Sequence, residues 1–132
     1  PYSLRAAIDC AQDGGTVTIE YPVFGQTIQL LTPININKSV SINGFPSRNV
    51  TVSGSGFTGS VFSIASGKSV TINGMTVSCS QGGADGRCLV NSGSLKLDDI
   101  MFNDQNGTST GSSVINTGTG TIQISHSVTI RK

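Results

Sequence analysis

The chain has no tryptophan, a single histidine and charged side chains at only 11% of its 132 positions, less than half the share of about 25% usual in soluble domains. Each scarcity excludes something. Eight Lys and Arg are scattered, with no cluster beyond Arg131-Lys132, so there is no basic patch for a phosphate backbone and no indole to stack on bases. No nucleic-acid partner is expected. A net charge of +1 is far from the charge excess that keeps chains disordered. No apolar run reaches the roughly 18 residues of a spanning helix, so no membrane insertion is expected in this segment. The chain opens on Pro1 with no charged-then-apolar leader, and any signal peptide is expected to have been removed or to lie outside the segment. Ser and Thr fill the gap at a quarter of all residues, giving a neutral, hydroxyl-rich, β-prone surface.

One short phrase returns along the chain. It reads Thr16-Val17-Thr18-Ile19, Ser39-Val40-Ser41-Ile42, Ser69-Val70-Thr71-Ile72, Ser94-Leu95-Lys96-Leu97 and Thr121-Ile122-Gln123-Ile124, with starts 23, 30, 25 and 27 residues apart. A unit repeated at such a period cannot bury its apolar face alone and must stack on copies of itself. A second set of apolar groups lies between the phrases: Phe62 with Ile64, Leu89 with Val90, and Val114 with Ile115. A third follows each phrase after a bend: Phe45, Met75 with Val77, Ile100 with Phe102, and Val128 with Ile130.

Three short strands per turn describe an all-β, right-handed parallel β-helix, a solenoid of about five coils over residues 16–130 in a single domain spanning 1–132. Aligning the phrases predicts inward stacks Val17-Val40-Val70-Leu95-Ile122 and Ile19-Ile42-Ile72-Leu97-Ile124. The rod would be about 24 Å long at roughly 4.8 Å per rung. Over residues 3–12, Leu4, Ala7, Ile8 and Ala11 keep helical spacing, with Ser3 as N-cap and Asp13-Gly14-Gly15 as the stop. This amphipathic helix (1–13 with its flanks) is suited to cap the first rung, whose unpaired edge otherwise invites aggregation. No comparable lid follows Ile130, so the segment is expected to be part of a longer chain or to have its end covered by something else. An antiparallel β-sandwich is the alternative, and it would need regular hairpin turns that the long period does not suggest.

Several patterns imitate catalytic motifs. Gly54-Ser55-Gly56-Phe57-Thr58-Gly59-Ser60-Val61 matches G-x-G-x-x-G, but a dinucleotide site needs a helix next and an acid about 20 residues on. Val61-Phe62-Ser63-Ile64 reads as a strand, and kinase His-Arg-Asp and Asp-Phe-Gly motifs are missing, so the loop reads as a turn between rungs. Gly67-Lys68-Ser69 resembles the end of a P-loop without its leading glycine or following helix.

Asp98-Asp99 is the adjacent acid pair. Alternation turns Asp98 outward beside Lys96, with Asn73 and Ser125 as rung neighbours, and Asp99 starts the bend. Glu20, the outward acid in the matching position, is three rungs or roughly 14 Å away at about 4.8 Å each. Paired glycosidase carboxylates need about 5–9.5 Å. His126 lacks zinc partners and a nucleophile elbow and reads as an exposed turn residue. Asp104-Gln105-Asn106-Gly107 lacks the bidentate Glu of a calcium loop and reads as a solvated turn. No catalytic, metal or cofactor-binding residue is assigned, and no cofactor is expected. Ranks Thr16/Thr18, Ser39/Ser41 and Ser69/Thr71 resemble an ice-binding face that Lys96 and Gln123 interrupt.

Cys79 and Cys88 bracket a polar, glycine-rich stretch that can close into a disulfide, an arrangement suited to an extracellular chain. The other reading is two reduced thiols, with Cys88 buried as a small hydrophobe. Cys10 is left over, buried or available to another chain. Asn37, Asn49 and Asn106 head Asn-x-Ser/Thr acceptor triplets and are candidate glycosylation sites.

The opening Ser3-Leu4-Arg5-Ala6-Ala7-Ile8, followed by Asp13-Gly14-Gly15-Thr16-Val17, resembles secreted β-helix proteins with a Cys-Ser-Leu-Arg-Glu-Ala cap, with Tyr2 for the cysteine and Ala6 for the glutamate. Gly82-Gly83-Ala84 and Met101-Phe102-Asn103-Asp104 resemble repeats of polymorphic outer membrane proteins, with departures at Asp85 and Gln105. The resemblance implies the pectate-lyase-like β-helix superfamily and an extracellular or cell-surface place. The expected function is a non-enzymatic scaffold, adhesin or assembly (fibre) module; the alternative is a polysaccharide-binding or polysaccharide-cleaving domain. Expected partners are proteins or further copies, met through the open C-terminal end and the loops at 46–49, 78–88 and 104–112, with carbohydrate as a further candidate.

Overall fold

The computed structural model describes residues 3–19, 26–44, 50–81, 85–104 and 111–131. It begins with helix α1 (Leu4–Cys10), one turn shorter than the apolar spacing suggested. Ser3 Oγ accepts the Ala6 N–H at 3.1 Å, satisfying one of the donors a helix start leaves open. Leu4 and Ile8 are buried, and Ala7 and Ala11 pack against the same core. Arg5 fastens the helix to the Thr32 and Pro33 carbonyls at 2.7 and 2.9 Å. Lys38 Nζ donates to the Asp9 and Ala11 carbonyls at 2.7 and 2.8 Å, the end of a helix where a cation is favoured.

Among the described residues eleven strands follow: β1 (Gly15–Thr18), β2 (Thr27–Gln29), β3 (Ile34–Ile36), β4 (Val40–Asn43), β5 (Thr51–Ser53), β6 (Phe62–Ile64), β7 (Ser69–Ser78), β8 (Leu89–Asn91), β9 (Ser94–Asn103), β10 (Val114–Asn116) and β11 (Thr121–Arg131). Every strand pairing is parallel. One face stacks β1, β4 and the first halves of β7, β9 and β11; the next stacks β2, β5 and their second halves; the third stacks β3, β6, β8 and β10. This is a parallel β-solenoid of about four turns, with β11 opening another, where the phrase count suggested about five.

The stacking confirms most of the expected ladder and corrects its first step. Val40, Val70, Leu95 and Ile122 align, as do Ile42, Ile72, Leu97 and Ile124. Val17, however, sits on Ile42, and Gly15 occupies the row of Val40. The first phrase is therefore displaced by two residues, a slip that keeps every side chain on its own face because the strand period is two. Glycine at the start of β1 leaves Val17 to cap the Ile42 row, while α1 brings Leu4 and Ile8 as apolar cover in a different form.

Ile42 and Phe62 are fully buried, and Val70, Leu95 and Phe102 are 1% exposed. Each such side chain contributes about 1.5–3 kcal/mol by leaving water. On the third face Ile34, Phe62, Leu89 and Val114 align, and so do Ile36, Ile64, Asn91 and Asn116. Val90 and Ile115, members of the second apolar set, lie on the intervening row. The inward position is Asn91, whose amide is satisfied: Oδ1 accepts the Gly93 N–H at 3.1 Å and Nδ2 donates to Asn116 Oδ1 at 2.8 Å.

The corner between the first two faces is made by close backbone approach. A Cβ on Gly44 would collide with the carbonyl oxygen of Gly74, and Gly74 itself has φ +68°. The last rung is covered on one side alone, and there Ile124 and Ile130 remain 61% and 50% exposed.

Candidate functional site

Two assemblies of polar side chains stand on this scaffold. The first runs along the Gly44–Gly74 corner. Thr18, Asn43, Asn73, Asp98 and Ser125 form one outward row, and Thr16, Ser41, Thr71, Lys96 and Gln123 form its neighbour. The hydroxyl ranks expected at the first two phrases are thus shifted by the same two-residue slip, and asparagines take over one row. Asn73 Nδ2 donates to Asn43 Oδ1 at 2.7 Å.

Asp98 lies between Asn73 and Ser125, as alternation predicted, so its row neighbours are an amide and a hydroxyl. The bend residues above Gly74 are Asp99 and His126, with φ +54° and +58°, the non-glycine residues in the left-handed region among those described. β11 carries a register shift between Ser125 and Val128. The bulge re-aims the bend residue. His126 Nδ1 accordingly lies 2.7 Å from Asp98 Oδ1, a partner that reading His126 as a solitary turn residue did not find. The imidazole is 78% exposed, so water screens the contact. His126→Asn is expected to change stability by less than about 1 kcal/mol in urea denaturation, because exposed ion pairs contribute little. Glu20 lies outside the described residues, as do the glycosylation triplet heads Asn49 and Asn106. Asn37 is described and exposed.

The second assembly is built where the chain passes from the second face to the third on successive rungs, at residues 54–61, 79–81, 85–88, 104 and 111–113. Cys79 and Cys88 form a disulfide and both are fully buried. Cys10 is a free, exposed thiol. Arg87, next to Cys88, is buried and grips the Asp104 carboxylate twice, Nε to Oδ1 at 2.9 Å and Nη2 to Oδ2 at 2.8 Å. Ser113 Oγ donates to the same Oδ2. The hydrogen bond to Asp104 raises the Arg87 pKa above its ordinary value against the opposing effect of burial, with further help from the charges of Asp104 and Asp85.

Asp104 is thus not a solvated turn residue. It is 4% exposed and closes a buried network. Sequence reasoning missed this network. The available signal was two charged residues, in a chain poor in them, each beside the end of a strand and one rung apart.

Cys79, Cys88 and Asp104 bring their donor atoms within 4.8 Å of one another. The sulfurs are joined to each other and the carboxylate is held by a guanidinium, so this cluster is built as a structural clamp. Around it the loops bond to one another. Ser80 Oγ donates to the Gly59 carbonyl, Thr58 bridges to Gln81, and Asp85 Oδ1 accepts the Ser112 N–H at 2.7 Å.

The glycine-rich stretch 54–61 is the first of these loops and leads into strand β6, as expected. Gly67 turns with φ +78° ahead of β7. Lys68, Ser69, Ser92, Ser94, Thr119 and Thr121 line an open groove of about 210 Å³. Among the described residues no helix is long and apolar enough to cross a membrane.

In comparisons with known proteins, no family model, curated protein or solved structure matches this chain.

Proposed function

We propose that this chain is a non-enzymatic, extracellular or cell-surface module in which a rigid solenoid presents polar rows and loops for attachment or assembly. The observation that carries the reading is the Asp98 row. Its neighbours at rung spacing are Asn73 and Ser125, so among the described residues of this row Asp98 meets an amide and a hydroxyl and no second carboxylate for general acid–base work. The buried Cys79–Cys88 disulfide supports an oxidising compartment. The Cys-Ser-Leu-Arg-Glu-Ala-like opening supports a place among pectate-lyase-like surface solenoids with adhesive or structural roles.

The Asp98–His126 contact, beside Lys96 on the neighbouring row, favours the second reading, polysaccharide cleavage. One assay separates the two. The protein is incubated with neutral and acidic polysaccharides while new reducing ends and unsaturated products are followed. No turnover is expected. Turnover that Asp98→Asn abolishes would replace the scaffold reading by the enzymatic one. Surface labelling of intact source cells with antibodies tests the location.

A further inference from the structure

We infer that a second copy of this chain docks on the open edge of β11, the two copies related by a two-fold axis through the corner at His126. The inference rests on the scaffold reading above and names its assembly partner. Three observations point to it.

The first is an edge that carries the core pattern without its cover. β11 pairs with β9 along one side, and among the described residues no strand takes its other side. Ile122, Ile124, Val128 and Ile130 stand over Leu95, Leu97, Ile100 and Phe102, all of them buried. In β11 the same rows come to the surface: Ile124 and Ile130 are exposed, and Ile122 and Val128 are half-buried. An edge strand with an apolar margin is a template for pairing with another chain.

The second is that β11 is complementary to itself. The strand turns its corner at His126, with residues 121–125 on the first face and 127–131 on the second. Positions equally far from His126 match in character: Ile124 with Val128, Ile122 with Ile130, Ser125 with Ser127, Gln123 with Thr129. A two-fold axis lying in the plane of the rung and passing through this corner lays the first face of one copy on the second face of the other. The strands then run antiparallel, and the inner side of each stays inner. Apolar side chains meet apolar ones across the joint and polar meet polar, the cross-strand matching that stabilises a sheet. Charge fits as well. Arg131 falls opposite Thr121 of the second copy, which holds the two Arg131 side chains at opposite ends of the joint. The two His126 rings meet at the axis, each 2.7 Å from its own Asp98 carboxylate.

The third is the other end of the solenoid, which disfavours head-to-tail stacking. There α1 lies over the rows, Leu4, Ile8, Val17 and Ile34 are buried, and Arg5 and Lys38 fasten the helix in place. The exposed Leu31 lies in the connection from β2 to β3, off these rows. A copy stacking its β11 on that end would have to displace the helix. An isologous joint uses the same open surface twice and closes on itself.

The test is the mass of the intact chain in solution, by sedimentation over a range of concentrations, with a cross-link that reads the register. The expected result is a reversible dimer at twice the 13.6 kDa chain mass and nothing larger. Ile124→Lys and Ile130→Lys each place a cation in the apolar margin and should weaken the dimer about 10-fold, the double variant about 100-fold. Both side chains are exposed in the single copy, so circular dichroism should be unchanged. In a Cys10→Ser background, mixing Gln123→Cys with Thr129→Cys should give a disulfide-linked dimer under mild oxidation, since antiparallel neighbours lie about 4.5–5.5 Å apart. Either cysteine variant alone should give little. Should the lysine variants fail to fold, this cross-link decides. A monomer at every concentration, growth into longer arrays, a dimer that the lysine variants leave intact, or cross-linking of either variant alone as fast as the mixture overturns the proposal. Polysaccharide turnover would instead overturn the non-enzymatic reading, and the same mass and cross-link measurements would still judge the joint.

Discussion

Replacing Arg87 by methionine is expected to destabilise the protein by about 3–5 kcal/mol, the cost of stranding one member of a buried ion pair. The side chains of Arg87 and Asp104 are 2% and 0% exposed. Methionine fills much of the volume but returns neither bond to the carboxylate, and Ser113 alone cannot compensate two lost charge-assisted donors. The triple variant Arg87→Met, Asp104→Leu, Ser113→Ala is expected to recover most of that loss, since neither charge of the pair is then left buried without the other. Urea denaturation followed by circular dichroism measures both. A loss below about 1 kcal/mol in the single variant would show that water reaches the pair and that the clamp is not closed.

Removing the disulfide with Cys79→Ala and Cys88→Ala is expected to cost about 2.7 kcal/mol, the loop-closure entropy for a loop of about ten residues. The cysteines are nine positions apart with Cα atoms 4.5 Å apart, a separation a disulfide normally bridges. Because Arg87 and Cys88 are adjacent, this loss and the Arg87 loss should not add. Alkylation of the native, unreduced protein should modify one thiol, that of the exposed Cys10, and denaturation with reduction should release two more. Three reactive thiols before reduction would remove the clamp from the account.

The solenoid was legible because stacked inward positions repeat their chemistry. Val40, Val70 and Leu95 announce one row and Ile42, Ile72 and Leu97 the next. The cap helix was legible from Leu4, Ile8 and Ser3 for the same local reason. The slip at β1 was not, since Val17 and Ile19 fit either register equally well and the choice is made by Gly15 and the helix lying over that end. Strands β2 and β3 escaped because Thr27–Gln29 and Ile34–Ile36 are too short to show a period. Asn91 escaped because an inward asparagine breaks the apolar pattern; its compensation, Asn116 and the Gly93 backbone, lies far off in sequence or in the main chain. Among candidate site residues, Asp98 was placed correctly by alternation. Its contact with His126 depends on a bulge, which no alternation pattern announces. The Arg87–Asp104 clamp joins residues 17 positions apart, and only the register of two successive rungs brings them together.

That register is the claim on which every row, corner and loop contact depends, and disulfide trapping tests it directly. In a background with Cys10→Ser, two pairs are compared under mild oxidation: Thr16→Cys with Ser41→Cys, and Thr18→Cys with Ser41→Cys. Thr16 and Ser41 are direct neighbours across the parallel β1–β4 pair, at a spacing of about 4.8 Å that a disulfide accepts. Thr18 is one step further along the same face, opposite Asn43. The account predicts rapid, near-complete cross-linking of the first pair and little of the second. Preferential cross-linking of Thr18→Cys with Ser41→Cys would contradict it and restore the unslipped alignment of the phrases.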